Sequence, residues 1–246
     1  MAYRDFNHPQ GDRQAQQEGR NARGARLVGG SMAMRRLHGR PAGLDGRWVY
    51  DPVFREEHLL ELQRWCDPAD PRPLVVEIGF QAGRFARAFC AARPDVRYLG
   101  FEVRRKFCQD ADAWLVRGGI ENARLALVDA REALPMLVSP ASLSALFAFF
   151  PDPWWKTKHM KKRLTTADFA ADAASWLRDG GQLLVKSDVA GYADWAEGQL
   201  RAVPELRVKR LRDPAADLPP TQRERRCAIH GRPTWAIEGI RRDRGA

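Results

Sequence analysis

Between residues 74 and 200, short apolar runs alternate with amphipathic stretches, and this alternation leaves few folds open. Leu74 to Ile78 is a short, largely apolar run bounded by proline and glycine, as expected of a strand buried in a parallel sheet. A helix is expected from Arg84 to Ala92 and a second strand from Val96 to Val103. Phe107, Ala111, Trp114 and Leu115 then share one helical face. Arg124 to Val128 and Ser144 to Phe150 read as the third and fourth strands. The next helix carries Phe169, Ala173, Trp176 and Leu177, starts at a Thr165-x-x-Asp168 box and stops at Gly180-Gly181. A fifth strand from Gln182 to Ser187 and a helix from Tyr192 to Leu200 complete the pattern. Such a succession folds as a parallel sheet covered on both faces by right-handed crossovers.

The flanks differ. Residues 1 to 47 are rich in Arg, Gln and Gly without a sustained period and read as a basic, flexible arm. Its arginines either touch phosphates or are simply solvated. The folded domain is expected to span 48 to 246, opening with a helix from Arg55 to Cys66. Beyond Glu205, β-like runs at Leu206 to Leu211 and Thr234 to Ile240 are expected to close the sheet as an antiparallel hairpin.

Lys and Arg outnumber Asp and Glu by 41 to 31, which favours a polyanionic partner without separating RNA from DNA or an anionic membrane surface. No apolar run approaches the roughly 18 residues of a membrane span. The four cysteines (Cys66, Cys90, Cys108 and Cys227) form no C-x-x-C pair and read as reduced cytosolic thiols. The histidines show no metal-ligand spacing, so no metal is expected.

Three sites fall at strand ends. Glu77-Ile78-Gly79-Phe80-Gln81-Ala82-Gly83 joins the first strand to the first helix, and glycines there let a backbone approach a nucleotide-like ligand. Glu102 ends the second strand 23 residues past Gly79, where a carboxylate accepts from ribose hydroxyls. Asp129 ends the third, within reach of an adenine amino group. The absence of a G-x-G-x-x-G pyrophosphate cradle argues against NAD and for an adenosine without phosphates, as in S-adenosylmethionine. After the fourth strand comes Phe149-Phe150-Pro151-Asp152-Pro153-Trp154-Trp155-Lys156. Its prolines stiffen the presentation of Asp152 and the tryptophans. Lys156, Lys158, Lys161, Lys162 and Arg163 follow with no acid among them, a pattern suited to phosphate contact. The two tryptophans either stack on a base or pack the loop.

These segments together resemble the bacterial tRNA (guanine-N7)-methyltransferases. That family shares an E-I-G-F-G-x-G turn, an F-P-D-P-W-P-K-K-R-H-x-K-R-R-L loop, a T-D-x-x-x-Y segment and a T-x-F-E-x-R-G tail. The resemblance runs in order from about Tyr50 to Ile240, taking in Ser187-Asp188, Tyr192, Thr221 to Cys227, Gly231 and Trp235. It implies a Rossmann-like class I S-adenosylmethionine-dependent methyltransferase, α/β, with a mostly parallel sheet and a C-terminal antiparallel hairpin. By the same resemblance Glu77, Gly79, Gly83, Glu102 and Asp129 hold S-adenosylmethionine, and Asp152 is the catalytic acid. Lys156, Asp188, Thr221 and Glu224 hold the guanine, while Lys158, Lys161, Lys162 and Arg163 touch the RNA. The implied enzyme is cytoplasmic, a monomer or weak homodimer, and methylates tRNA in its variable loop. Gln81, Trp155, Arg223 and Cys227 depart from the family pattern, and Ser187 does so mildly, marking a divergent member. Two competing readings stand beside it. One is an amino-methyltransferase acting on another base. The other is a non-catalytic RNA-binding protein on the same fold, which Gln81 favours.

Overall fold

The computed structural model describes residues 49–50, 56–211 and 217–245. The basic arm of residues 1–47, the domain boundary at 48 and Arg55 lie outside the described residues.

The alternating region folds as its pattern dictates. Strand β1 (Val49–Tyr50) precedes helix α1 (Glu56–Trp65). Then come β2 (Leu74–Ile78), α2 (Arg84–Ala92), β3 (Arg97–Glu102), α3 (Arg105–Arg117), β4 (Ala123–Leu127) and α4 (Ala130–Leu137). They continue with β5 (Leu143–Phe149), a 3-10 segment (Thr157–Lys162), α5 (Ala167–Trp176), β6 (Leu177–Ser187) and α6 (Ala190–Arg201). Last are β7 (Leu206–Leu211), α7 (Gln222–Ile229) and β8 (Trp235–Arg241). One sheet of eight strands runs in the order β1-β4-β3-β2-β5-β6-β8-β7. Its pairs are parallel except where β8 lies antiparallel between β6 and β7.

Strand β3 is buried along its whole length, and Phe85, Phe89, Phe147, Phe149 and Tyr98 form a packed aromatic cluster over the centre. The proline-rich connection before β2 is pinned by the buried Arg97. Its guanidinium donates to the carbonyls of Trp65, Asp67, Asp70 and Arg72 at 2.7 to 3.2 Å.

Three expectations are corrected. On α3 the core face is Cys108, Ala111 and Leu115. Phe107 and Trp114 are only half-buried at its margins, where arginines stack on them. Helix α5 is capped by Thr166, whose hydroxyl accepts from the Phe169 amide at 3.2 Å, while Thr165 bonds the Tyr192 hydroxyl. The same helix ends at Trp176, because Leu177 is already extended and begins β6, and the Gly180-Gly181 pair lies inside that strand's span. As expected, β7 and β8 pair antiparallel and close the sheet, with α7 in the connection between them.

The order of strands reverses beside β2: the chain moves outward through β3 and β4 on one side and through β5 and β6 on the other. In open α/β sheets the crevice outside the carboxyl ends at such a point is where ligands bind. The turn after β2 and the loop after β5 both open there, from strands in direct register (Ile78 opposite Ala148).

Candidate active site

The turn after β2 is tied to β3 by its backbone. The amides of Gly79 and Phe80 donate to the Phe101 carbonyl at 2.7 and 3.3 Å. Gly79 has φ +80°, and a Cβ there would enter open space, so the backbone faces the crevice bare. Gly83 has φ +69°, and a Cβ would stand 2.6 Å from that of Ala111. This glycine therefore permits the close approach of α2 to α3. Gln81 sits at φ +50°, in the left-handed region where glycine is at ease, and its amide donates to Glu102 Oε2 at 3.2 Å.

Glu77 and Glu102 are both buried. Tyr98 donates its hydroxyl to Glu77 Oε2. Burial pushes the Glu77 carboxyl up to about 7, against the opposing pull of the Tyr98 hydrogen bond and of Lys186. Glu102 Oε1 accepts from the amides of Val103 and Arg104 at 2.9 and 3.0 Å, so this carboxylate organises the ends of both strands. Asp129 caps α4 through the Arg131 amide and pairs with the Arg131 guanidinium at 2.6 Å. Burial raises its carboxyl, but the hydrogen bonds from Arg131 outweigh that and hold it below the ordinary value.

Opposite lies the N-terminus of α7. Thr221 and Glu224 form a reciprocal capping box. The Thr221 hydroxyl accepts from the Glu224 amide at 3.1 Å, and Glu224 Oε2 accepts from the Thr221 amide at 2.7 Å. Glu224 Oε1 also meets the Nζ of Lys186 at 2.6 Å. Lys186 is fully buried in β6 and lies 4.9 Å above the Phe149 ring. Thr221 and Glu224 thus fix α7 onto the sheet here. Asp188 is held by Arg223, whose Nε donates to Oδ2 at 2.9 Å, with the Cys227 Sγ at 3.9 Å from the same oxygen. Two of the departures from the family pattern therefore converge on one acid.

The loop after β5 presents Asp152 exposed between its prolines. Positive φ at Phe150 (+52°) and Trp154 (+40°) strains the loop at both ends, a cost of order 1–3 kcal/mol per residue that fixes its path. Trp154 is engaged inside the loop by His159 and by Lys162, whose Nζ is 5.0 Å from the ring. Trp155 is 69% exposed. Lys156, Lys158, Lys161 and Lys162 are exposed around the 3-10 segment. Arg163 turns inward instead. Its Nε donates to the Pro153 carbonyl at 2.8 Å, and its guanidinium lies 4.7 Å from the Trp195 ring.

The structure thus brings Glu77 and Gly79 together with Thr221, leaves Gly83 at the packing of α2 on α3, and joins Asp188 and Glu224 through α7. Lys186, Tyr98 and Arg223 belong to this site but were not foreseen. A lysine interrupting the apolar Leu183-Leu184-Val185 run was the available signal for the first. Between the turn and α7 only about 30 Å³ is open, bounded by Gly79, Gln81, Phe150 and Gln222. Gln81, Ala82, Gln222 and Arg223 also line a roomier cleft of about 340 Å³, which reaches Arg104 and Phe107 just past Glu102. A bare backbone at Gly79, a carboxylate at the end of β3 and a capping acid at the end of β4 suit a nucleoside bearing a polar tail.

The strand order, with the crevice at its reversal, defines the Rossmann-like fold of the class I methyltransferases. A structure of the 16S rRNA methyltransferase KamB superposes with a TM-score of 0.53 at 16% identity, covering 77% of this chain and 94% of that one, which speaks for the fold alone. Residues 71–237 match the family model described as "Putative methyltransferase". The chain is 42% identical over 163 residues to the tRNA (guanine-N(7)-)-methyltransferase of Nocardioides sp., covering 65% of this chain and 64% of the relative. It is 36% identical over 171 residues to the enzyme of the same name from Anaeromyxobacter dehalogenans, covering 68% and 85%. This chain belongs to the tRNA (guanine-N7)-methyltransferase family. It spans less than two thirds of the length of several relatives, among them the Nocardioides protein and that of Myxococcus xanthus (57%). Among the described residues, no cluster of three or more His, Cys, Asp or Glu is placed to hold a metal ion. No helix among them is long and apolar enough to cross a membrane.

Proposed function

We propose that this protein transfers a methyl group from S-adenosylmethionine to N7 of a guanine in tRNA, in the variable loop, and works in the cytoplasm. The observation that carries the proposal is the meeting of the β2 turn and the Pro151-Asp152-Pro153 loop at the sheet's switch point, with exposed lysines beside it. When bound, S-adenosylmethionine supplies an electrophilic methyl. Gly79 offers it an open backbone, Glu102 a ribose acceptor and Asp129 an adenine partner.

Guanine N7 carries a lone pair and no proton, so the chain need not provide a strong base. Its tasks are alignment, exclusion of water and management of charge. Asp152, exposed on a stiff and strained loop, faces the developing positive charge on the purine. Asp188 keeps Oδ1 available to the guanine N1 and N2 donors while Arg223 anchors Oδ2. Trp155 offers a face on which the base stacks, and Lys156, Lys158, Lys161 and Lys162 meet the phosphates.

The test compares two tRNA transcripts, one ordinary and one made with 7-deazaguanosine, which has no N7. Methyl transfer to the first alone is expected. Equal transfer to both excludes N7 as the acceptor and favours the amino-methyltransferase reading.

A further inference from the structure

A second groove, on the outer face of α2, is taken up by none of the roles above. Its volume is about 360 Å³, and Arg84 and Arg87 of α2, Trp114 of α3, and Pro220, Gln222 and Arg225 around the start of α7 line it. Arg84 and Arg87 follow one another at helical spacing and share a face. Their guanidinium carbons lie 5.5 and 5.2 Å from the Trp114 ring centroid, and that of Arg117 lies 4.5 Å away.

No Asp or Glu lines this groove. Other arginines of the described residues find either carboxylates, as Arg131 does with Asp129, Arg201 with Glu197 and Arg210 with Asp194, or backbone carbonyls, as Arg93 does with Asp217 and Arg242 with Pro204. Arg84, Arg87 and Arg225 have no carboxylate partner among the described residues. Three guanidinium groups on one groove repel one another, and the indole face offsets only part of that cost. A planar guanidinium with free N–H groups is matched by phosphate oxygens, which accept in pairs. Arg84 and Gln222 also line the narrow space at the β2 turn, so the groove abuts the crevice that receives the methyl donor.

We infer that this groove seats the tRNA backbone, with phosphates beside the target nucleotide held by Arg84, Arg87 and Arg225 and a neighbouring base edge against Trp114. The inference rests on the proposed reaction with tRNA and adds a second contact surface on the α2 side of the crevice, apart from the lysines after β5.

The test is equilibrium binding of bulk tRNA to the full chain across a salt series, for wild type, Arg87→Ala/Arg225→Ala and Arg87→Lys/Arg225→Lys. Each lost phosphate contact flattens the slope of log affinity against log salt by about 1. The alanine pair is expected to bind roughly tenfold more weakly at low salt, with a slope flatter by about 2, while the lysine pair retains most of the slope. S-adenosylmethionine affinity and Tm, measured on the same samples, report the fold. Weaker binding with an unchanged slope marks a merely structural role and overturns the inference. Unchanged binding and slope in the alanine pair overturn it too, and leave the reaction with tRNA standing. A wild type that does not bind tRNA overturns both.

Discussion

Gln81 shows how a departure from a family pattern reads differently once its backbone is seen. In sequence it placed a side chain where a ligand should meet bare backbone, and so favoured a protein that had lost its cofactor. In the structure it keeps the glycine-like φ of +50°, and its amide is bonded to Glu102. The turn's geometry is retained, at a cost of about 1–2 kcal/mol for a left-handed non-glycine residue. Asp152 is the residue on which the chemistry is placed. Asp152→Asn is expected to slow single-turnover methyl transfer by about 10²-fold or more while S-adenosylmethionine binding is unchanged. An unchanged rate removes Asp152 from the chemistry. Glu77 gives a prediction of a different kind. Its folded carboxyl titrates near 7, above its ordinary value of 4.5, so between those values the folded chain binds more protons than the unfolded one. The stability due to the neutral carboxyl is fully present below 4.5 and is lost as pH rises through 7. Urea midpoints are expected to fall between pH 5 and 8 in the wild type and to flatten in Glu77→Gln. A wild-type midpoint that rises over that range contradicts the raised value.

At the scale of elements, the strands were the most legible part. Buried parallel strands have short apolar runs ended by Gly, Pro or acids, and β2 was found to the residue. Helix α4 was missed because Pro135 stands within it, three-quarters of the way along. The missed α7 has another cause. Its Gln-Arg-Glu-Arg-Arg opening has no apolar period to read, and its signature was the Thr221-x-x-Glu224 box, which resemblance had already given to the substrate. That box holds the helix against β6, so its loss acts on the site through position. Thr221→Ala is expected to cost about 1 kcal/mol, a typical N-cap value, and to increase hydrogen exchange at the first turn of α7. Protection in α7 equal to that of wild type would show that the cap does not hold this element. The inward turn of Arg163 and the pairing of Arg223 with Asp188 were illegible for a shared reason. Both depend on contacts between segments far apart in the chain, which no local spacing encodes.

At the scale of the whole molecule, two cationic surfaces among the described residues stand out, the lysines after β5 and the arginines of the α2 groove. The lysines follow Asp152 after β5, and the α2 groove shares Arg84 and Gln222 with the narrow space at the β2 turn. A substrate much larger than a nucleotide is what such a distribution serves. The measurement that bears most directly on this account is incubation of the purified protein with bulk tRNA and methyl-labelled S-adenosylmethionine, followed by digestion and identification of the labelled nucleoside. Label in 7-methylguanosine is the predicted result. Label in another nucleoside, or none from a protein that still binds tRNA, would contradict it.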